Sequence, residues 1–218
     1  KDQIDYFISI DGADPTQIVF MGVGSYRYRV TFKGPGGHSY GAFGLVNPIH
    51  ALGRAVAKID AIQVPVNPKT TFNVGVIGGG TSVNSIPFEG WFEVDMRSPD
   101  AASLETTKEK ITAAINEAVK EENERWNHKG EVTVDVKLVG YRPCGQTPPD
   151  SPIVAAAQSA VRAIGLRPML TASSTDSNVP MQLGVPAVTV GGGGIAKDAH
   201  ALTESFDPKD SWKGVQYV

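Results

Sequence analysis

Apolar and polar positions alternate most cleanly between Tyr26 and Leu138. Tyr26, Tyr28, Val30 and Phe32 alternate with Arg27, Arg29, Thr31 and Lys33, the period-two pattern of a half-buried strand. Phe72, Val74 and Val76 predict a second strand that runs into Gly78-Gly79-Gly80. Phe92, Val94 and Met96, set against Glu93, Asp95 and Arg97, predict a third. Val132, Val134, Val136 and Leu138, set against Glu131, Thr133, Asp135 and Lys137, predict a fourth. Between these strands the period becomes helical. Asn47-Pro48 opens a helix, with Asn as cap and Pro in the first turn, and its apolar stripe is Ile49, Leu52, Val56 and Ile59. Ser98-Pro99-Asp100 caps a longer helix reaching about Trp126, striped by Leu104, Ile111, Ile115, Ala118 and Val119. The order β-α-β-β-α-β predicts a ferredoxin-like unit.

Charge placement agrees with that topology. In a ferredoxin-like sheet the first strand lies between the third and the fourth. The outward residues of the first strand are Arg27, Arg29 and Lys33, and those of its expected neighbours include Glu93, Asp95, Glu131 and Asp135. Opposite charges across neighbouring strands stabilise such pairs by a fraction of a kcal/mol each, roughly 0.2–1.

The flanks alternate β and α. Residues 1–21 read as strand, turn and strand. After residue 138 come a proline-rich loop (Pro143, Pro148, Pro149, Pro152), a helix from about Ile153 to Ile164 and a strand near Pro168 to Ala172. A short helix at Asp176 to Leu183, the strand Pro186 to Val190 and a helix beginning near Trp212 follow. The expected fold class is α/β with an α+β insertion. The expected organisation is a partial catalytic domain over 1–22, a ferredoxin-like dimerisation or lid domain over 23–138, and the rest of the catalytic domain over 139–218.

The chain has 218 residues, 41% hydrophobic and 20% charged, with a net charge of −3 and both signs interspersed. That balance predicts neither a nucleic-acid nor a membrane partner. The one cysteine, Cys144, allows no internal disulfide and points to a reducing, cytoplasmic setting. The longest apolar runs, such as Val185 to Val190, are too short to span a bilayer. The chain opens directly on a buried-type strand at Ile4 to Ile10 and stops just after a helix start, so both ends read as cut and an upstream signal peptide stays open.

Four places carry candidate chemistry. Asp11 ends an apolar strand and precedes Gly12, where a carboxylate can ligate a metal or simply form an Asp-Gly turn. His38 lies in the loop Gly34-Pro35-Gly36-Gly37-His38-Ser39, free to donate to a developing oxyanion or to sit solvated. Asn84 to Pro87 with Arg97 form the third place. The fourth, Gly191 to Gly194 running to His200, lacks a Gly-Lys-Ser/Thr ending and fits a backbone surface for a small carboxylate, with His200 as a good zinc ligand. His50 and His128 read as solvated. A serine hydrolase built on Ser173-Ser174 and His200 lacks the Gly-x-Ser-x-Gly elbow, and no motif flanks Cys144 as a nucleophile.

In order, these pieces resemble the two-zinc metallopeptidase family of aminoacylase, glutamate carboxypeptidase and peptidase T. The resemblance rests on a strand ending in Asp11-Gly12, Gly36-Gly37-His38-Ser39, Gly79-Gly80-Thr81-Ser82-Val83-Asn84-Ser85-Ile86-Pro87, and Glu93-Val94-Asp95-Met96-Arg97. It continues through Ser173 to Asn178, a Gly184-Val185-Pro186-Ala187 strand into glycines, and Ala199-His200-Ala201-Leu202-Thr203-Glu204-Ser205. The resemblance implies a zinc-binding catalytic domain interrupted by a ferredoxin-like domain that forms a homodimer. It implies Asp11 and His200 as ligands, one to each of two zincs, and His38 as a residue reaching the partner's active site. It implies Asn84, Arg97 and the amides of Gly192 and Gly193 as holding a substrate carboxylate, with Glu204 and Asp176 in support. The substrates it implies are small peptides or N-acyl amino acids. The family's remaining ligands and its general-base glutamate would precede this chain, which alone is expected to bind zinc weakly and to be inactive. The alternatives are a non-catalytic dimerisation module and an amidohydrolase of non-peptide amides.

Overall fold

The structure is a computed structural model and describes residues 3–125 and 129–218. The expected helix end at Trp126 and the turn carrying His128 lie outside the described residues. The chain divides into two compact units: Ser25–Tyr141, and the segment ending at Gly24 taken together with Arg142–Val218.

The chain enters through β1 (Phe7–Ile10) and β2 (Gln17–Gly22), then forms the middle unit. That unit runs β3 (Gly24–Lys33), β4 (Gly37–His38), α1 (Pro48–Asp60), β5 (Thr71–Gly79), β6 (Ser85–Ile86), β7 (Glu89–Ser98), α2 (Ala101–Arg125) and β8 (Thr133–Arg142). Its main sheet has the order β5-β7-β3-β8, the ferredoxin-like order, with β3 between β7 and β8. The expected cross-strand ion pairs form between β3 and β7: Arg27 to Asp95 at 2.8 Å and Arg29 to Glu93 at 3.1 Å. Arg29 also lies over the Trp91 ring, 3.6 Å from its centre. Val30 and Phe32 of β3 and Phe92, Val94 and Met96 of β7 are buried, which is why the alternation in the sequence was so clean. Each fully buried apolar side chain contributes roughly 1.5–3 kcal/mol.

Asn47 caps α1 as expected, its Oδ1 accepting from the amides of Ile49 and His50. The buried face of α1 is not the expected stripe, however. Pro48, Ala51, Leu52, Ala55 and Ile59 are buried, whereas Ile49 is 38% exposed and Val56 is only partly covered. The alanines turn inward because α2 crosses α1 closely, and a small side chain fits there where an isoleucine does not. On α2, Asp100 caps the helix by accepting from the amide of Ser103 at 2.7 Å, and Leu104, Ile111, Ile115 and Ala118 face the core as read. The expected inward set on β8 fails at its far end. Val132 is buried, but Val136 and Leu138 of this edge strand are 39% and 47% exposed.

The second unit continues with β9 (Gly145–Gln146), α3 (Pro152–Ala163), β10 (Met169–Ser173), α4 (Asn178–Gln182) and β11 (Ala187–Val190). It ends with the hairpin β12 (Ile195–Lys197) and β13 (Ser205–Asp207) and then α5 (Trp212–Tyr217). Its sheet has the order β1-β11-β2-β10, with β9 also paired to β2. The strands β1 and β11 run parallel, so their C-terminal ends open on the same side. Ile153, Val154 and Val161 of α3 pack on Ile18, Val188 and Val190 to form its core, with Tyr217 laid against them. Among the described residues no helix is long and apolar enough to cross a membrane.

Candidate functional site

The parallel pairing of β1 with β11 carries Asp11 and Gly191 to the same edge of the sheet, where the Asp11 amide donates to the Val190 carbonyl at 3.0 Å. Beyond them opens a cleft of about 560 Å³, lined among others by Asp11, Asp14, Ser173, Thr175 and Thr189. Asp14 has no counterpart among the residues picked out from the sequence. Its carboxylate accepts from the Thr16 amide at 2.9 Å and hydroxyl at 2.7 Å, and from Gln17 at 3.3 Å. Burial works to raise its pKa, but these hydrogen bonds outweigh burial and hold the carboxyl below its ordinary value. The signal was present as an Asp-x-Thr turn just past Asp11-Gly12. The cleft floor was not legible at all: Thr189 shares hydroxyl hydrogen bonds with Thr175 at 2.6 Å and Ser177 at 2.7 Å, and all three are buried.

The glycine run behaves differently from the expectation. The Gly192 amide donates to the Gly12 carbonyl at 2.8 Å and so has no hydrogen left for a substrate carboxylate. A Cβ on Gly193 would meet the Ser211 carbonyl at 2.5 Å and one on Gly191 the Asp14 carbonyl at 2.1 Å. These glycines are there because three backbone segments meet too closely for side chains.

His200 sits between β12 and β13 with a left-handed φ of 67°, and Asp198 has 55°. Its amide donates to Glu204 at 3.2 Å, which holds the turn. Among the described residues no three His, Cys, Asp or Glu side chains gather around a possible metal position. Asp11 and His200 by themselves therefore do not fit a zinc ion, which takes three or four protein ligands.

In the middle unit, β4 and β6 pair as a short antiparallel ribbon, with His38 opposite Ser85. The Ser39 amide donates to the Asn84 carbonyl at 2.9 Å, so His38 and Asn84, far apart in sequence, become neighbours. Both are exposed. Arg97 is not brought to them. It pairs with Thr71 at one end of the β5–β7 ladder, while Gly90, next to the ribbon, pairs with Gly79 at the other. Seven residues of extended chain separate the ends, about 23 Å. Arg97 donates from Nε to Asp95 at 2.7 Å.

Residues 23–123 match the family model described as a peptidase dimerisation domain, of the M20 type. Among solved structures the chain is similar to an aminopeptidase PepT from Bacillus cereus, with 22% identity, a TM-score of 0.78, and coverage of 98% of this chain and 55% of that one. A tripeptidase from Staphylococcus aureus gives 21% identity, a TM-score of 0.79, and coverage of 98% and 55%. A hydantoinase/carbamoylase-family amidase from Burkholderia vietnamiensis gives 20% identity, a TM-score of 0.70, and coverage of 97% and 52%. No curated protein sequence matches the chain. The chain spans about half the length of the solved structures it resembles. At these identities the likeness is one of fold, and it extends over both units.

Proposed function

We propose that this chain is the dimerising part of a metal-dependent amide hydrolase acting on small peptides or N-acyl amino acids, and that it self-associates through β5. The observation that carries the proposal is the edge position of β5. This strand is paired on one side only, has no charged residue from Thr71 to Gly79, and exposes Val76 and Ile77. An uncharged open edge of this length is a pairing surface. Antiparallel pairing with its own copy across a two-fold joins two four-stranded sheets into one.

Such pairing has a consequence for the candidate residues. It lays the Gly79 end of one β5 beside the Thr71 end of the other. The ribbon carrying His38 and Asn84 on one protomer then comes to the Arg97 end of its partner. Residues that a single protomer holds towards opposite ends of the β5–β7 ladder thereby approach across the interface. In this reading His38 donates to the scissile carbonyl bound on the partner, Asn84 and the partner's Arg97 hold the substrate carboxylate, and Asp11 and His200 each contribute one ligand to a metal. Metal binding would supply a polarised water; among the described residues no complete site is gathered, and in this reading a longer parent protein supplies the remaining ligands.

Light scattering on the chain should give twice the monomer mass. Lysines at both Val76 and Ile77, whose side chains are half exposed, should give a folded monomer. A wild-type chain that stays monomeric at high micromolar concentration would sink the proposal. A non-catalytic dimerisation module predicts the same dimer and is separated from it by the activity test given in the Discussion.

A further inference from the structure

The chain passes into the middle unit after Gly24 and out of it after Tyr141. Just outside these two links the incoming and outgoing segments cross, with Gly22 of β2 paired to Gly145 of β9. One side chain holds both segments. The Nδ2 of Asn178 donates to the Val23 carbonyl and to the Pro143 carbonyl, each at 2.9 Å. Its Oδ1 accepts from the Thr175 amide at 2.9 Å, so the partners themselves fix which way the side-chain amide faces. Asn178 is fully buried, and the crossing is shaped around it. A Cβ on Gly22 would meet the Asn178 Cγ at 2.8 Å, and one on Gly145 the Asn178 carbonyl oxygen at 3.1 Å. The same short segment reaches the cleft. Thr175 and Ser177 share hydrogen bonds with the Thr189 hydroxyl, and Thr175 and Thr189 line the cleft. Cleft floor and crossing are thus the two ends of one hydrogen-bonded chain, running from Thr189 through Thr175 and Asn178 to Val23 and Pro143. Its side-chain members are buried, where no water stands ready to replace a lost partner, so a break at one bond is felt at the next.

We propose that Asn178 couples the cleft floor to both links, so that floor and links open and close as one cooperative unit. A change at the floor, such as a ligand drawing on the Thr175 or Thr189 hydroxyl, is then transmitted to the two places where the chain enters and leaves the middle unit. This goes beyond the hydrolase reading and rests on neither the dimer nor a metal. Failure of the dimer would show as a monomer in light scattering; failure here shows in local amide exchange.

The test is amide hydrogen exchange on the full chain, followed by NMR. The reporters are the Thr175 amide, bonded to Asn178, the Val23 amide, bonded to the Ser173 carbonyl, and the Thr147 amide, bonded to the Phe20 carbonyl. In the wild-type chain the three should exchange through one opening, with protection equal to within about threefold. Asn178→Asp keeps the size of the side chain but turns an oxygen towards both carbonyls. All three reporters should then exchange roughly tenfold faster or more. Thr189→Val acts from the other end, removing the shared hydroxyl while Asn178 stays in place, and should speed the same three amides by about threefold or more. The amides of β3 and β7 should keep their wild-type rates in both variants. Thr189→Val decides the question on its own where Asn178→Asp fails to fold. Faster exchange at Val23 without Thr147, or a Thr189→Val effect that stops at Thr175, would overturn the proposal. So would an equal rise in β3 and β7, which would mark a loss of global stability and not a local coupling.

Discussion

At the scale of single residues, the most consequential side chain outside the site is Glu122. It is fully buried, and its two oxygens accept from Arg54 at 2.7 Å, from Arg125 at 2.8 and 3.1 Å, and from the amide of Asn47 at 2.9 Å. One carboxylate thus ties the start of α1 to the end of α2. Losing it strands the Asn47 amide and two arginines that are 33% and 26% exposed, a cost at or below the about 3–5 kcal/mol of breaking a fully buried pair. Glu122→Ala should lower unfolding stability by that order, and Glu122→Gln by less, because the amide still accepts from Asn47. Urea unfolding of both variants measures the difference. Nothing in the sequence singled out Glu122 among the charges of α2, since only the crossing of the helices buries it. Tyr217 gives a second residue-level expectation. Burial pushes its phenol up to about 12 from 10.0, and its hydroxyl donates to the Gly191 carbonyl at 2.8 Å. The folded state thus favours the protonated phenol, and the stabilisation is intact below the unfolded value and is lost as pH rises from 10.0 towards about 12. Tyr217→Phe should flatten that segment of the stability profile relative to wild type in urea titrations across this window.

At the scale of elements, α1 shows how far periodicity reaches. Asn47-Pro48 fixed where the helix starts, because capping is a local matter of one side chain and two amides. Which face turns inward was decided by α2, which requires alanines at the crossing. Ala55 is fully buried there. Ala55→Leu should therefore destabilise the middle unit by about 1–3 kcal/mol through overpacking. Ile49→Leu, at a position 38% exposed, should change stability little. Thermal unfolding of the two variants separates the two faces; equal losses would restore the stripe read from the sequence. The sheet was more legible than the helices. Its alternation, its ion pairs and its edge followed from residues within each strand and their immediate neighbours; the exposed second half of β8 and the register shift between Val74 and Val76 of β5 departed from it.

At the scale of the whole molecule, the trans role proposed for His38 has a direct test in a longer parent protein. Loss of one oxyanion donor costs roughly 10²–10³ in turnover, so His38→Ala should be nearly inactive while retaining its metal. On the same proposal His200→Ala should be nearly inactive, through loss of one proposed metal ligand. When the two variants exchange subunits at random, half the dimers are mixed, and each has one complete site. About a quarter of wild-type activity should then return in a two-fold dimer with independent sites. Subunit exchange shown by mass, without any return of activity, would end the trans role. It would leave the dimer itself standing and favour the non-catalytic module.

By itself the sequence determined what depends on short-range physics. The period-two strands, the helix caps, the order of elements in the middle unit and the glycine-flanked positions of Asp11 and His38 all come from neighbours within a few residues. The tertiary structure decided whatever depends on segments distant in the chain coming together. It joined His38 to Asn84 through the β4–β6 ribbon, set Arg97 at the far end of β7, gathered Thr175, Ser177 and Thr189 under the cleft, and committed the Gly192 amide to Gly12. Each of these is a contact between groups whose separation along the chain carries no local pattern. Hydrogen-bond partners and close backbone approaches are settled only when the packed units leave one place for each polar group to go.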